Sequence, residues 1–322
     1  MTAREAPSRI LIAVGGNAIH PGDIRGTPEE QVELAARTGE SLLPILMRER
    51  NQIVITHGNG PVVGKILMRQ TLARDRVAPM SLDICVAHSQ GGIAYLLMQA
   101  LENALRKAGS PRHVVCLLTQ VEVDPDDPAF VSPSKPIGYF YDENDALEVQ
   151  ATLGWTMRED AGRGWRLVVP SPEPRHIADI SLVQAVLESG AVAIAGGGGG
   201  IPVVRAPDGT RRGLAAVIDK DLSSALMAKV LGLDALFILT AVPRVSIHFG
   251  TAREKPLAKV TVDDLRAYQR EGHFAAGSMG PKVEAAARFV EETGKLAVIA
   301  HLDEAQAAVC GDAGTRVYPA PA

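Results

Sequence analysis

Short runs of consecutive apolar residues alternate along this chain with longer stretches whose apolar residues recur every three or four positions. The first pattern marks strands buried on both faces, and the second marks the helices that cover them. Residues 9–14 (RILIAV), 52–56 (QIVIT), 114–123, 191–195, 235–239 and 296–300 read as strands, the third running on past the sheet. Residues 28–50, 61–73, 81–107, 176–189, 219–231 and 281–293 read as helices. The first helix carries a complete start signal: Thr27 as N-cap, Pro28 at the first helical position, and Glu30 three residues after the cap. Strands alternating with helices predict a three-layer αβα sandwich around a mainly parallel sheet.

Two segments break that rhythm. Residues 124–170 are rich in Pro, Asp and Gly and hold both tryptophans together with Tyr139, Phe140 and Tyr141. A stretch of that length with its own aromatic residues predicts a small protruding lid subdomain, not a linker. Residues 203–213 place Asp208-Gly209 between extended flanks, a hairpin signal. With 33 basic against 37 acidic residues the net charge is −4, which removes the case for a polybasic nucleic-acid or membrane-surface binder. Aromatic residues at 4% offer no base-stacking platform. No apolar run approaches the ~18 residues that span a bilayer, and residues 1–9 lack the apolar core of a secretory signal. Cys85, Cys116 and Cys310 are sparse and unpaired in sequence, as expected in a reducing cytoplasm. The histidines show no metal-ligand spacing, so no structural zinc site is expected.

Glycine, at 31 of 322 residues, exceeds the usual ~7%. The excess gathers in four loops that follow a strand or open a helix. They are Gly15-Gly16-Asn17-Ala18, His57-Gly58-Asn59-Gly60-Pro61, the run at 196–200 before Ile201-Pro202, and Gly277-Ser278-Met279-Gly280-Pro281-Lys282. Such loops bring backbone N–H groups close to an anion at the carboxyl ends of the strands. The familiar phosphate signatures are absent. Gly64-Lys65 is followed by Ile66, not Ser or Thr, and no HRD or DFG element occurs. The GxGxxxG at 58–64 belongs to the second strand, and no acid-ended strand follows it as a dinucleotide site requires. His88-Ser89-Gln90-Gly91 lies within helical sequence and not at a nucleophile elbow. What remains is phosphoryl transfer without a Walker loop, a chemistry of positioning and positive charge. Three lysines fit it. Lys135 lies in the lid segment, Lys220 between Asp219 and Asp221, and Lys282 after Gly280-Pro281. A lysine in a first helical turn opposes the helix dipole, so Lys220 and Lys282 imply a compensating anion, and Asp221 is the candidate that holds them in place.

These residues resemble the carbamate kinases of the amino acid kinase family, over essentially the whole chain. The motifs are Val14-Gly15-Gly16-Asn17-Ala18, Thr56-His57-Gly58-Asn59-Gly60-Pro61, and Asp127-Pro128-Ala129-Phe130 leading to Lys135-Pro136-Ile137-Gly138. Further on come Gly164-Trp165-Arg166 with Val168-Val169-Pro170-Ser171-Pro172, Gly200-Ile201-Pro202-Val203, Val217-Ile218-Asp219-Lys220-Asp221-Leu222, and Gly280-Pro281-Lys282-Val283-Glu284. The resemblance implies one amino acid kinase-like domain over 1–322. Its N lobe, 1–212, would take the phosphoryl acceptor and contain the lid at 124–170, and its C lobe, 213–322, would take the nucleotide. It implies a cytoplasmic homodimer that uses Mg²⁺ carried by ATP or ADP, with no metal ligand from protein side chains. The implied reaction is the reversible conversion of ATP and carbamate to ADP and carbamoyl phosphate, often run towards ATP in arginine-, agmatine- or allantoin-type breakdown.

By the same resemblance, Lys135, Lys220 and Lys282 are the phosphate-binding lysines and Asp221 their organiser. Gly15, Gly16, Asn17, Gly58, Asn59 and Gly60 hold the acceptor and the transferred group; for the mechanism itself, the N–H groups of Gly15, Gly16 and Gly60 are expected to line the phosphoryl path. Gly198, Gly199, Asp219, Thr240, Ala241, Val242, Val245, Gly277, Ser278, Met279 and Gly280 belong to the nucleotide. The absence of a lysine at 11–14 speaks against acetylglutamate and uridylate kinases. The chain departs from the family pattern at Val62, Ala215, Pro243-Arg244 and Tyr139. Two alternatives stay open on sequence: a paralogue acting on another small acceptor, and a nucleotide-binding sensor without turnover.

Overall fold

The computed structural model describes residues 6–16, 25–160, 162–275 and 277–320. Its main sheet has eight strands, here β1 Arg9–Val14, β2 Gln52–His57, β3 Val114–Cys116, β4 Val192–Ile194, β5 Ala235–Thr240, β6 Lys259–Thr261, β7 Leu296–His301 and β8 Thr315–Tyr318. They lie in the order β6-β8-β7-β5-β1-β2-β4-β3. Every neighbouring pair is parallel except β7 with β8, so β6 and β8 run against the other six. The helices are α1 Pro28–Leu46, α2 Gly60–Ala73, α3 Leu82–Lys107, α4 Glu143–Leu153, α5 Ile180–Glu188, α6 Lys220–Val230, α7 Val262–Arg270, α8 Met279–Thr293 and α9 Ala305–Cys310.

The period-2 alternation of a strand sorts its side chains into two cores. In β1, Ile10, Ile12 and Val14 pack with Leu42 of α1, Leu97 of α3 and Ala308 of α9. Leu11 and Ala13 face the other way, towards Val183 of α5, Met227 of α6 and Phe289 of α8. Both faces are covered, which is the three-layer arrangement that the uninterrupted apolar strands predict.

The predicted capping box at Thr27 is present: Thr27 Oγ1 accepts from the Glu30 N–H at 3.3 Å and Glu30 Oε2 accepts from the Thr27 N–H at 2.8 Å. That helix stops at Leu46 and not at residue 50, and the Asn51 side chain donates to the Ile45 carbonyl near its end. The strand read over 114–123 is two strands. Residues 114–116 belong to the main sheet, while Gln120–Glu122 joins a separate four-stranded sheet with Ile201–Arg205, Arg211–Gly213 and His176–Ile177. The break comes at Thr119, whose N–H is taken by Gln90 of α3 at 2.7 Å. His176–Ile177 pairs there as strand, so the helix read from residue 176 begins only at Ile180. The hairpin at 203–213 forms as expected, with Val203 opposite Gly213 and Arg205 opposite Arg211.

Within 124–170, three antiparallel strands, Lys135–Tyr141, Trp165–Val169 and Met157–Glu159, form the lid sheet, and α4 lies in the same segment. Its apolar side packs into a third core that joins Ile137, Leu167 and Val169 to Val63 of α2 and Cys85 of α3. The lid strand crosses α2 at two glycines. A Cβ on Gly64 would come within 2.1 Å of the Gly138 Cα, and Gly138 adopts a left-handed φ of +76° in a bulge of its strand.

Candidate active site

Parallel strands that end together deliver their following loops to one edge of the sheet. Val14 of β1 is in register with His57 of β2 and with Leu239 of β5, so Gly15, Gly58 and Thr240 lie side by side. The first two loops touch: a Cβ on Gly58 would come within 2.6 Å of the Gly16 N and 3.5 Å of the Lys220 Cε. Gly15, Gly16, Thr240, Gly277 and Lys282 line a cleft of about 450 Å³ at this edge, together with Arg163 and Arg166 of the lid. A larger hollow of about 900 Å³ lies beside Ser8, Asp234 and Leu296, where the strands begin, and no described residue of the four glycine loops lines it.

Two carboxylates collect the three lysines. Asp219 caps α6, its Oδ1 accepting from the N–H groups of Asp221 at 2.9 Å and Leu222 at 3.3 Å. Its Oδ2 accepts from Lys135 Nζ at 2.7 Å, across 84 residues of sequence. Asp221 bridges the other two: Oδ1 accepts from Lys220 Nζ and Oδ2 from Lys282 Nζ at 3.0 Å. Burial alone would raise both carboxyls. The Lys220 and Lys282 ammonium groups outweigh it at Asp221, and Lys135, with Lys282 further off, at Asp219, so both are held below the usual carboxylate range. Burial also dominates at Lys220 and pulls it down, despite Asp221 beside it. Burial works in the same direction on Lys282, but Asp221 and Asp219 overcome it and hold that ammonium up. All four oxygens are engaged by donors within the protein, and no group of three His, Cys, Asp or Glu suited to a metal ion occurs among the described residues.

The structure brings together the predicted Lys135, Lys220, Asp221, Lys282 and Asp219, and sets Gly16, Gly58 and Gly60 at the same edge. Thr240, Ala241, Val242, Gly277, Ser278 and Met279 line the cleft, and Gly280 opens α8 within the same loop, where its N–H bonds back to the Ala275 carbonyl. Five of the expected residues make other contacts in the fold. The Gly15 N–H donates to the Leu239 carbonyl at 2.9 Å, so it is spent on the sheet and does not line a phosphoryl path. The Asn59 side chain is buried and donates to Ser89 Oγ at 2.9 Å, away from the cleft. Gly198 packs on that Asn59 carboxamide, behind the acceptor loop, and Gly199 packs on the Ile218 carbonyl, one residue before Asp219. Val245 is fully buried, with its N–H on Thr315 Oγ1. In each case a backbone or core partner distant in sequence claims the group. Asn17 lies outside the described residues. Of the departures, Tyr139 places its ring 5.0 Å from Lys65 Nζ of α2, where the lid meets that helix.

Sequence reasoning passed over the polar floor of the site. His57 is buried with its ring against Gly197, while Gln90 holds the Gly197 carbonyl at 2.7 Å and the Thr119 N–H. Arg163 and Arg166 also line the cleft, Arg166 within Gly164-Trp165-Arg166. No helix among the described residues is long and apolar enough to cross a membrane.

The amino acid kinase family model matches residues 8–301. A carbamate kinase from Pyrococcus horikoshii is 45% identical over 315 residues, covering 97% of this chain and all of the relative. Among solved structures, carbamate kinase from Giardia lamblia bound to citric acid superposes with a TM-score of 0.93 at 39% identity, covering 98% of this chain and 99% of that one. The same enzyme bound to AMP-PNP gives a TM-score of 0.87 at 39% identity, again over 98% and 99% of the two chains.

Proposed function

The chain belongs to the amino acid kinase family and, within it, to the carbamate kinases, and on that premise we propose that it moves a phosphoryl group reversibly between ATP and carbamate, with ADP and carbamoyl phosphate on the other side. The observation that carries the reading is the Asp221 carboxylate spanning Lys220 and Lys282 at the edge where the glycine loops converge. A carboxylate that grips two ammonium groups fixes them before substrate arrives, so no reorganisation is needed when charge develops on the phosphoryl oxygens. Lys135 enters on the lid and reaches Asp219, the residue that caps the same helix, so lid position and lysine position are linked.

In this reading the loops of Gly16, Gly58 and Gly60 hold the carbamate side, within an N lobe that spans 1–212. Thr240 to Val242 and Gly277 to Met279 hold the nucleotide, within a C lobe that spans 213–322. The positive dipole ends of α6 and α8 favour the phosphates. The attacking carbamate oxygen is already anionic, so no general base is required and positioning supplies most of the rate. Mg²⁺ neutralises nucleotide phosphate charge when bound. The Asp219 and Asp221 oxygens are committed to lysines and backbone N–H groups, so the ion rides on the nucleotide. The family resemblance supports a cytoplasmic homodimer working towards ATP in arginine-, agmatine- or allantoin-type breakdown.

The test is ATP formation from ADP, Mg²⁺ and carbamoyl phosphate, with wild type beside Lys282→Ala. Robust formation by wild type and a loss of ~10²-fold or more in the variant is expected, the usual consequence of removing a preorganised charge. A folded wild type that binds ADP and makes no ATP would overturn the choice of acceptor.

A further inference from the structure

The lid carries a charged cluster that the three lysines do not explain. Arg163 and Arg166 flank Phe140, their guanidinium carbons 5.0 and 4.9 Å from the ring centroid. Both donate to Asp160 Oδ2, each at 3.1 Å. Asp160 is buried, and a Cβ on Gly277 would lie 3.5 Å from its Oδ1, so this carboxylate rests on the loop that opens α8.

The two arginines are held differently. Arg166 is pinned, with its other terminal nitrogen on the Gly138 carbonyl at 3.1 Å and its side chain 11% exposed. That arginine supports the lid bulge. The Arg163 side chain is 50% exposed, and among the described residues Asp160 and Phe140 hold its guanidinium. Both line the cleft with Gly15, Gly16 and Lys282.

Charge decides what this arrangement is for. Three lysines face two carboxylates in the floor, and two arginines share one carboxylate in the lid. Each group keeps an uncompensated positive charge, and both border one cleft. Cations are concentrated in this way where an anion is to be held. Position narrows the anion further. The one cleft is lined both by the acceptor loop at Gly15 and Gly16 and by Thr240, Gly277 and Met279 of the nucleotide side. A lid arm that lines the same cleft is placed to meet what passes between donor and acceptor.

We propose that Arg163 is a binding residue for the phosphoryl group in transit, and that Asp160 is the positioning residue that aims it while resting on the nucleotide loop. A planar guanidinium fork suits two oxygens of a phosphoryl group. The inference rests on the phosphotransfer reading but not on the identity of the acceptor. The group in transit is the γ-phosphoryl of ATP in one direction and the phosphate of carbamoyl phosphate in the other, and ADP lacks it.

The test compares Arg163→Ala, Arg163→Lys and Asp160→Asn with wild type by calorimetric titration of Mg²⁺-ADP and Mg²⁺-AMP-PNP, with KM for carbamoyl phosphate measured alongside. Arg163→Ala should weaken AMP-PNP binding ~10-fold or more, as loss of a charge-assisted hydrogen bond does, and leave ADP binding unchanged. KM for carbamoyl phosphate should rise in parallel, Arg163→Lys should restore part of the loss, and Asp160→Asn should reproduce a smaller version of it. Equal losses for ADP and AMP-PNP, or none for either, overturn the proposal. Should wild type make no ATP from carbamoyl phosphate, the carbamate reading fails, while the AMP-PNP to ADP contrast still decides the role of Arg163.

Discussion

At the scale of single residues, His57 shows how the site's floor is linked to stability. It ends β2 fully buried, its Nδ1–H donates to the Gly58 carbonyl at 3.2 Å, and its Nε2 has no partner among the described residues. Burial, reinforced by the Lys220 charge, pulls its pKa down to about 4 from 6.5. In the unfolded chain the same imidazole titrates near 6.5, so as pH falls below that value the unfolded state takes up the proton first. The stability is fully present above pH 6.5 and is lost progressively towards about pH 4, on the order of 3 kcal/mol in all. His57→Gln removes this loss. In urea unfolding at pH 7 and pH 4, wild type should therefore lose on the order of 3 kcal/mol more than the variant. Equal losses would show that His57 does not titrate across this range. The lysines and Asp221 were legible in sequence because a lysine in a first helical turn is out of place unless something anionic meets it. His57, Asp160 and Arg163 were not, because what gives each its meaning is a contact with Gly197, Gly277 or Phe140 that the chain pattern does not encode. The partner of the Asn59 side chain is hidden in the same way: its amide donates to Ser89, thirty residues on.

At the scale of elements, the long amphipathic helices and the six-residue strands declared themselves, because each offers enough positions to fix a period. The three- and four-residue strands β6 and β8 did not, nor did the division of 114–123, since no period fits so few residues. The crossing of α2 by the lid strand was equally invisible, yet it positions Lys135. Gly64 lies within α2, so Gly64→Ala should by helix propensity alone stabilise by ~1 kcal/mol. Sterics oppose this, because the new Cβ would stand 2.1 Å from the Gly138 Cα, and backbone cannot swing aside as a side chain does. The strand that starts at Lys135 must then lift, and misplacement of that order costs ~10²-fold in turnover. Gly64→Ala should therefore keep its far-ultraviolet circular dichroism and lose ~10²-fold in ATP formation. Unaltered turnover would show that the crossing does not place Lys135.

At the scale of the whole molecule, the two rims of the main sheet are finished differently. On one side β6 and β8 reverse direction and close the sheet with α7 beside them. On the other, β3 is the last strand, three residues long, and carries no further partner among the described residues. A bare edge with apolar neighbours invites association. Leu118, just beyond β3, is 64% exposed and lies against Gly91 of α3, and Tyr95, one helical turn further on, is 56% exposed. Ile84 continues the stripe on the same helix, at i, i+7 and i+11 with Gly91 and Tyr95, and is also exposed. A two-fold partner would cover this stripe with its own copy, since an isologous contact needs one self-complementary patch. A homodimer of the kind the family resemblance implies would then be joined at this edge, adjacent to Gln90, which holds the glycine pad. Light scattering on the eluting protein should give the mass of two chains for wild type and of one chain for Tyr95→Asp with Leu118→Asp, the charges being stranded in a buried apolar contact. A double variant that still elutes at two chains would move the interface off this edge, and a wild type at one chain would remove the dimer altogether.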